Sequence, residues 1–153
     1  METDGSPIGA LRPYQAGTQD DLLLTQAWAI MQDHGDLAKV FHPQAQSLTA
    51  FLGYCQPPRT VVLCVDERGP WLFALFEPSF DGAFVALWIR RDRRHTKLAV
   101  STMIRLYKLA LSEFTVLLGI TKQPRLIAVH LKFGYTLLGE LPRFWAGTDA
   151  WVL

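Results

Sequence analysis

The chain has 153 residues and a mass of 17.3 kDa, a length that favours one domain because a single core typically organises about 100–200 residues. Half of the residues are hydrophobic and only 19% are charged, which excludes a disordered chain. With 15 Lys+Arg against 14 Asp+Glu, the formal net charge is +1. The overall field therefore argues against a protein that coats nucleic acid.

The sequence also argues against membrane insertion and secretion. The densest apolar runs, residues 72–76 and 85–89, are far shorter than the roughly 20 residues that span a bilayer. Residues 1–7 are acidic and polar, unlike the start of a signal peptide. Cys55 and Cys64 lie in apolar stretches without metal-type spacing, which predicts buried reduced thiols, a disulfide being the alternative. We therefore expect a cytoplasmic protein without a metal site.

The first third of the chain has mostly helical periodicity. Residues 1–12 are typical of a loose arm or a short edge strand. A helix is predicted to begin after Thr18, where two acidic residues complement the helix dipole, and to end at His34-Gly35. A second helix is predicted over residues 43–54, because the prolines that follow cannot continue it.

Strands dominate the remainder. Residues 60–66, 71–77 and 83–90 are predicted to form an antiparallel meander, joined by short turns. An amphipathic helix over residues 97–112 precedes a buried strand at 115–120, a helix over 123–134 and strands at 135–138 and 144–152. Together these elements predict a single α/β (α+β) domain over residues 1–153, with a mixed, mostly antiparallel sheet and about four helices.

Five basic side chains occupy the eight positions 90–97, between the third meander strand and the amphipathic helix. Because a helix N-terminus offers unpaired N–H groups and the positive end of the helix dipole, this junction is suited to phosphate. One interpretation of the segment is therefore a site for an anionic ligand, above all a pyrophosphate. The other interpretation is a solvated run of charges on an ordinary loop.

The order of the predicted elements and the segment 94–99 (RHTKLA) resemble the Gcn5-related N-acetyltransferase (GNAT) family. In that family the loop pattern is [Gln/Arg]-x-x-Gly-x-[Gly/Ala], and its backbone amides hold the pyrophosphate of acetyl-coenzyme A. Arg94 and Ala99 match the pattern, whereas Lys97 stands at the central glycine. Lys97 is therefore either a substitute phosphate ligand or a sign that cofactor binding has been lost.

A second motif extends the resemblance to about residues 18–153. The family commonly has an Asn that opens the fourth helix, a Tyr seven residues later and then a Gly-Phe. Gln123, His130 and Gly134-Tyr135 occupy those positions here. The resemblance implies that acetyl-coenzyme A is bound by Ile89, Arg93, Arg94, Lys97, Leu98, Ala99 and Gln123.

The family's reaction needs a base for the incoming ammonium and an acid for the leaving thiolate. The resemblance places His130 as the acid, the alternative being a histidine packed on a helix face. Glu77, at the end of the second meander strand, is the candidate base, beside Asp81 and His95. Gly119 either permits close approach of the pantetheine arm or relieves crowding in a bulge.

Two functions of different classes follow. The first is a GNAT-like N-acetyltransferase that transfers acetyl from acetyl-coenzyme A to an amine that the sequence does not identify. The second is a catalytically degenerate GNAT-fold protein with protein partners or a homo-oligomeric state, for example a tailed-bacteriophage virion component. The five tryptophans would suit a partner surface of that kind. A nucleic-acid contact through the arginine cluster is disfavoured by the balanced charge.

Overall fold

A computed structural model describes residues 7–121, 123, 125–145 and 148–152, with burial given for residues 8–121, 123 and 125–139. The first half of the predicted N-terminal arm, residues 1–6, lies outside the described residues. The side chains of Trp145 and Trp151, two of the five tryptophans considered for a partner surface, also lie outside them.

Five helices and seven strands make up the described chain. The helices are α1 (Asp20–His34), α2 (Leu37–Val40), α3 (Leu48–Tyr54), α4 (Lys97–Glu113) and α5 (Arg125–Lys132). The strands are β1 (Arg12–Pro13), β2 (Thr60–Asp66), β3 (Gly69–Ser79), β4 (Gly82–Ile89), β5 (Val116–Thr121), β6 (Gly139–Trp145) and β7 (Thr148–Val152).

The strands form one sheet in the order β1-β2-β3-β4-β5-β7-β6. The predicted meander is confirmed, because β2, β3 and β4 pair antiparallel in sequence. β5 joins β4 in parallel, and β7 then pairs antiparallel with both β5 and β6. The short strand β1 lies antiparallel on the outer edge of β2. The sheet is therefore mixed and mostly antiparallel, as predicted.

Each face of the meander has its own core. Successive residues of a strand point to opposite faces, so Leu63 and Phe73 pack with α1, α2 and α3, whereas Leu72 and Ala74 pack with α4. Both faces are covered by helices, which is why the meander strands are continuous hydrophobic runs.

The two cysteines occupy opposite cores. Cys55 packs on the side of α1 and Cys64 on the side of α4, and both are free thiols. Burial raises the pKa of each thiol to about 12. The prediction of buried reduced cysteines is thus confirmed.

The helix boundaries follow local capping. α1 ends at Gly35, whose φ of 71° is left-handed, as predicted. The predicted continuous helix over residues 43–54 is wrong: Pro43–Ala45 forms a separate 3-10 turn, and α3 begins only after Ser47. The Ser47 hydroxyl accepts a hydrogen bond from the Ala50 amide and so starts a new helix. The four-residue helix α2 was not predicted.

The C-terminal strands also differ from prediction. Residues 135–138 form no strand, because the chain here leaves the turn after α5 and Tyr135 packs against Tyr107 and His130. The segment 144–152 is not one strand either. β6 ends at Trp145, which pairs with Thr148 at the start of β7, so the chain reverses direction within this segment.

The parallel strands β4 and β5 remain together over only part of their length. Residues 82–85 pair with residues 116–119, after which β5 pairs with β7 instead. Their contact is closest at Gly82, where an added Cβ would lie 2.8 Å from the Val116 carbonyl oxygen. The strands are therefore joined tightly at one end and separate towards Ile89.

We expect Gly82→Ala to lower the free energy of unfolding by about 1–3 kcal/mol, because a backbone carbonyl cannot move aside for the new methyl group. Chemical denaturation followed by tryptophan fluorescence measures this. Gly53→Ala is the matched control, since Gly53 lies in α3 with no heavy atom near an added Cβ. The control should be neutral or stabilising by about 0.5–1 kcal/mol. Equal losses in both variants would contradict the close contact at Gly82.

Candidate functional site

The separation of β4 from β5 opens a cavity of about 1280 Å³, which we call the cleft. One wall is the part of β4 that is not paired with β5, at Ala86 and Trp88. The opposite wall is β5, at Gly119. The cleft reaches both faces of the sheet: Tyr54 from α3 lines one side and Met103 from α4 lines the other. This arrangement can bring two ligands together from opposite faces of the sheet.

Most of the predicted site residues line the cleft, namely Glu77, Ile89, Arg94, Ala99, Gln123 and His130. The others do not. Leu98 packs into the core beside α4, and Lys97 is exposed in a shallow depression beside Val100. Arg93 is bound to a carboxylate, as described below. Among the alternative base candidates His95 lines the cleft, whereas Asp81 does not.

The N-terminus of α4 lies at the end of the cleft where β4 finishes. Thr96 caps this helix, since its hydroxyl accepts a hydrogen bond from the Ala99 amide at 3.1 Å and its carbonyl accepts from Val100. Within the described part of the chain, the backbone N–H groups of residues 95–98 have no hydrogen-bond acceptor. Four free donors at the positive end of a helix dipole form a binding surface for an anion.

Lys97 does not need the backbone freedom of glycine. It is the first residue of α4, and the left-handed residue of this loop is His95, with a φ of 63°. The Lys97 side chain is exposed, so its ammonium group can add a charge beside the free amides. The structure thus makes the lysine compatible with an anion at this helix end.

The arginines of the loop before α4 bind internal carboxylates. Arg90 is 3% exposed and forms a two-pronged ion pair with Asp66, whose side chain is fully buried. Arg93 also donates to Asp66, at 2.7 Å, and Asp92 holds the other edge of Arg90. Burial alone would raise the pKa of Asp66, but hydrogen bonds from Arg90 and Arg93 outweigh it and lower the pKa to about 2.

Asp36 ties the same loop to the turn between α1 and α2. Its carboxylate, 2% exposed, accepts hydrogen bonds from Trp88 at 3.0 Å and from Arg94 at 2.9 Å, and Arg91 lies 3.4 Å away. Burial alone would raise the pKa of Asp36, but the Trp88 hydrogen bond and the charges of Arg94 and Arg91 outweigh it and lower the pKa. Arg94 also donates to the Ile89 carbonyl at 2.7 Å. Much of the positive charge of the loop is therefore neutralised internally.

Glu77 belongs to a three-residue cluster in the wall of the cleft. Tyr54 donates to its Oε1 at 2.7 Å, and Arg59 donates to its Oε2 at 3.0 and 3.2 Å. The Arg59 guanidinium also lies 4.1 Å above the Tyr54 ring. Burial, followed by the hydrogen bond to Glu77, raises the pKa of Tyr54 to about 12. Tyr54 is thus a protonated donor at neutral pH, and it orients the carboxylate.

His130 faces the other wall of the cleft, next to Gly119. Its Nδ1 lies 2.7 Å from the Leu126 carbonyl oxygen, which can only accept, so Nδ1 carries a proton. An added Cβ at Gly119 would lie 3.6 Å from the His130 Nε2. The His130 Nε2 therefore points towards β5 and is an acceptor in the neutral ring and a donor in the imidazolium.

Several residues of the site were missed by sequence reasoning. Asp36, Tyr54 and Arg59 acquire their roles only through partners far away in the sequence, and no local pattern indicates them. Tyr135 also lines the cleft, and its buried hydroxyl has no hydrogen-bond partner among the described residues. Burial raises the pKa of Tyr135. The only sequence signal for Tyr135 was its place after Gly134.

Among the described helices, none is long and apolar enough to cross a membrane. Within the same residues, no group of three or more His, Cys, Asp or Glu side chains is arranged to hold a metal ion.

Comparison with known proteins relates the fold to acyl-transfer enzymes. No family model and no curated protein matches the sequence. Among solved structures, a ribosomal-protein-alanine N-acetyltransferase from Brucella melitensis is similar, with 15% identity and a TM-score of 0.69 over 94% of this chain and 96% of the other. A variant of spermidine N-acetyltransferase from Vibrio cholerae is 9% identical, with a TM-score of 0.69 over 94% of this chain and 92% of the other. RimJ from Mycobacterium smegmatis, in complex with CoA-disulfide, is 12% identical, with a TM-score of 0.68 over 95% of this chain and 81% of the other. These likenesses establish the fold.

The ion pair between Asp66 and Arg90 predicts a specific loss of acid stability. Because the pKa of Asp66 falls from 3.8 to about 2 on folding, its contribution is complete above about pH 4 and is lost as the pH falls towards 2. We expect Asp66→Asn to lower the free energy of unfolding at pH 7 by about 3–5 kcal/mol, since Arg90 stays buried with only the partly exposed Asp92 as its carboxylate partner. The variant should also show a flatter pH dependence between about pH 4 and 2.

Urea denaturation at several pH values measures both effects. Asp92→Asn is the control, because Asp92 contacts the same arginine but is 36% exposed, and its loss should be about 1 kcal/mol or less. If Asp66→Asn and Asp92→Asn were equally stable, Asp66 would not be the main partner of Arg90.

Proposed function

We propose that this chain, which has the fold of the Gcn5-related N-acetyltransferases, transfers an acetyl group from acetyl-coenzyme A to an amine. The observation that carries the proposal is the cleft between β4 and β5, which reaches the start of α4 at His95, next to the free amides of residues 95–98. A cleft that reaches both faces of the sheet suits a reaction in which cofactor and acceptor enter separately. The named N-acetyltransferases of the same fold support this choice.

The residues present fit the cofactor at two places. The amides of residues 95–98, with Lys97 beside them, would hold the diphosphate. Beyond Val85 the edge of β4 is no longer paired with β5, so its backbone groups and Gly119 opposite would accept the amide-containing pantetheine arm. Ile89, Ala99 and Gln123 line this part of the cleft. When bound, acetyl-coenzyme A supplies the thioester that an uncharged amine attacks.

Arg93 and Arg94 would act mainly by fixing the loop. Both donate to buried carboxylates, Arg93 to Asp66 and Arg94 to Asp36. Releasing either arginine towards a phosphate would remove one of the two arginines that pair with a buried carboxylate, which is costly. We therefore assign anion binding in the first place to the backbone amides and to Lys97.

Glu77 would take the proton of the acceptor ammonium, directly or through water. Tyr54 and Arg59 each hold one of its oxygens, so the carboxylate has a fixed direction. Its side chain is 36% exposed, and it can therefore pass the proton on to solvent.

His130 would supply the proton to the leaving thiolate. The bond from Nδ1 to the Leu126 carbonyl fixes the ring, and the imidazolium would then donate from Nε2 beside Gly119. A neutral His130 has no proton at Nε2 and would have to gain one before this step.

The non-catalytic alternative has weaker support. A structural or virion role gains nothing from the comparisons, and an apolar cavity of about 1280 Å³ with a few converging polar groups is typical of a ligand site. The cytoplasmic location stays a prediction.

The proposal is tested by following thiol release from acetyl-coenzyme A with a panel of amines. We expect Glu77→Gln and His130→Phe each to lower kcat by about 100-fold or more, because each removes a proton-transfer group. The dissociation constant for acetyl-coenzyme A, measured by calorimetry, should change little.

Asp81→Asn is the control, since Asp81 lies outside the cleft, and it should keep the parent rate. Absence of acetyl-coenzyme A binding by the unmodified protein would refute the proposed function. Unchanged turnover in His130→Phe would remove that residue from the mechanism.

A further inference from the structure

The mouth of the cleft on the α1–α3 face has an excess of positive charge. We call it the acceptor mouth; it comprises Lys39, His42, Tyr54, Arg59 and Glu77. Lys39 and Arg59 carry positive charge here, and the His42 Nδ1 accepts a hydrogen bond from the Gln44 amide, whereas Glu77 is the only carboxylate in this set. Asp36 also borders the cleft.

Asp36 does not balance this excess, because its single charge is shared among several cations. Its side chain is 2% exposed, it accepts hydrogen bonds from Trp88, Arg94 and Arg91, and the Lys39 ammonium lies 3.8 Å away. It is therefore unavailable to a ligand, and among the described side chains that line the cleft Glu77 is the one carboxylate that can meet an incoming ammonium.

Arg59 is held rigidly beside Glu77 with part of its guanidinium free. Nε and Nη2 donate to the Glu77 Oε2, and the group lies flat over the Tyr54 ring at 4.1 Å. Within the described residues, the Arg59 Nη1 has no hydrogen-bond partner. The side chain is 26% exposed. A fixed guanidinium with a free edge is a specific donor to a carboxylate or another planar anion.

We infer that the acceptor is an amine with an anionic group next to its amino group, as in a free amino acid, and that Arg59 binds this anion. The inference rests on the proposed function and specifies its substrate class. Because Glu77 and Arg59 are only 3.0 Å apart, they match two opposite charges that are close together in the ligand. The ammonium would meet Glu77 and the anion would meet Arg59, with Lys39 adding favourable charge.

The same charges act against a polyamine acceptor. The second ammonium of a polyamine would lie near Arg59 and Lys39, with no further carboxylate at the acceptor mouth to receive it. Like charges placed together discriminate strongly between ligands. The acceptor mouth therefore selects through repulsion as well as attraction.

The test compares neutral amino acids, their carboxamides and spermidine as acceptors for the full-length protein. The amino acid and its amide share the same amine position, and they differ in the anionic group. We expect kcat/KM to be at least about tenfold higher for the preferred amino acid than for its amide. The difference should come from a lower KM for the amino acid. Spermidine should be the poorest acceptor.

In Arg59→Gln, the ratio of kcat/KM for the amino acid to kcat/KM for its amide should fall close to one. Arg125→Gln is the matched control, because Arg125 also lines the cleft but lies at the start of α5, and its ratio should equal that of the parent. A parent ratio of one or below, or a preference for spermidine, would overturn the inference while leaving the proposed acetyl transfer intact.

A binding measurement that needs no turnover distinguishes failure of this inference from failure of the proposed function. Thermal unfolding with coenzyme A and either the amino acids or their amides reports acceptor binding directly. A larger rise in Tm with the amino acid, lost in Arg59→Gln, supports the inference. Equal shifts with both ligands would refute it, whereas loss of acetyl-coenzyme A binding itself would refute the proposed function.

Discussion

Two buried carboxylates, Asp36 and Asp66, hold the loop between β4 and α4, and the candidate site depends on them. Buried ion pairs stabilise a protein only when their geometry repays the cost of removing both charges from water. Here each carboxylate forms ion pairs with two arginines of the loop, and Asp36 also accepts a hydrogen bond from the Trp88 indole. These contacts attach the loop to α1 on one side and to β2 on the other. They thereby fix the direction in which α4 begins.

The second constraint is the change of partner along β5. It pairs with β4 at one end and with β7 at the other, so a sheet that is otherwise continuous contains an opening. The tight contact at Gly82 closes one end of this opening. At the other end lies the start of α4, where His95 lines the cleft. The proposed cofactor would extend along this opening, with its diphosphate at the free amides of residues 95–98.

Much of the fold could be predicted from the sequence, because the meander and α4 depend on local hydrophobic periodicity. One error was local, since Ser47 caps a new helix after a 3-10 turn. The other depended on a tertiary contact, because Tyr135 packs on Tyr107 instead of joining the sheet. The internal pairing of the charges at residues 90–97 could not be predicted from the sequence. Their partners Asp36 and Asp66 lie 24 or more positions away, so a local view of sequence shows the arginines as free. A net charge of +1 thus combines an internally paired cluster with a few exposed cations.

We propose that the backbone amides at the start of α4, and not the loop arginines, bind the anion. NMR can follow the chemical shifts of the backbone amides and of the arginine side chains while coenzyme A is added. We expect the largest amide shifts at residues 95–98, with the Nε–H signals of Arg90 and Arg93 nearly unchanged because these groups stay bound to Asp92 and Asp66. Large changes at those arginine signals, or none at residues 95–98, would rule out the backbone amides as the main anion ligands.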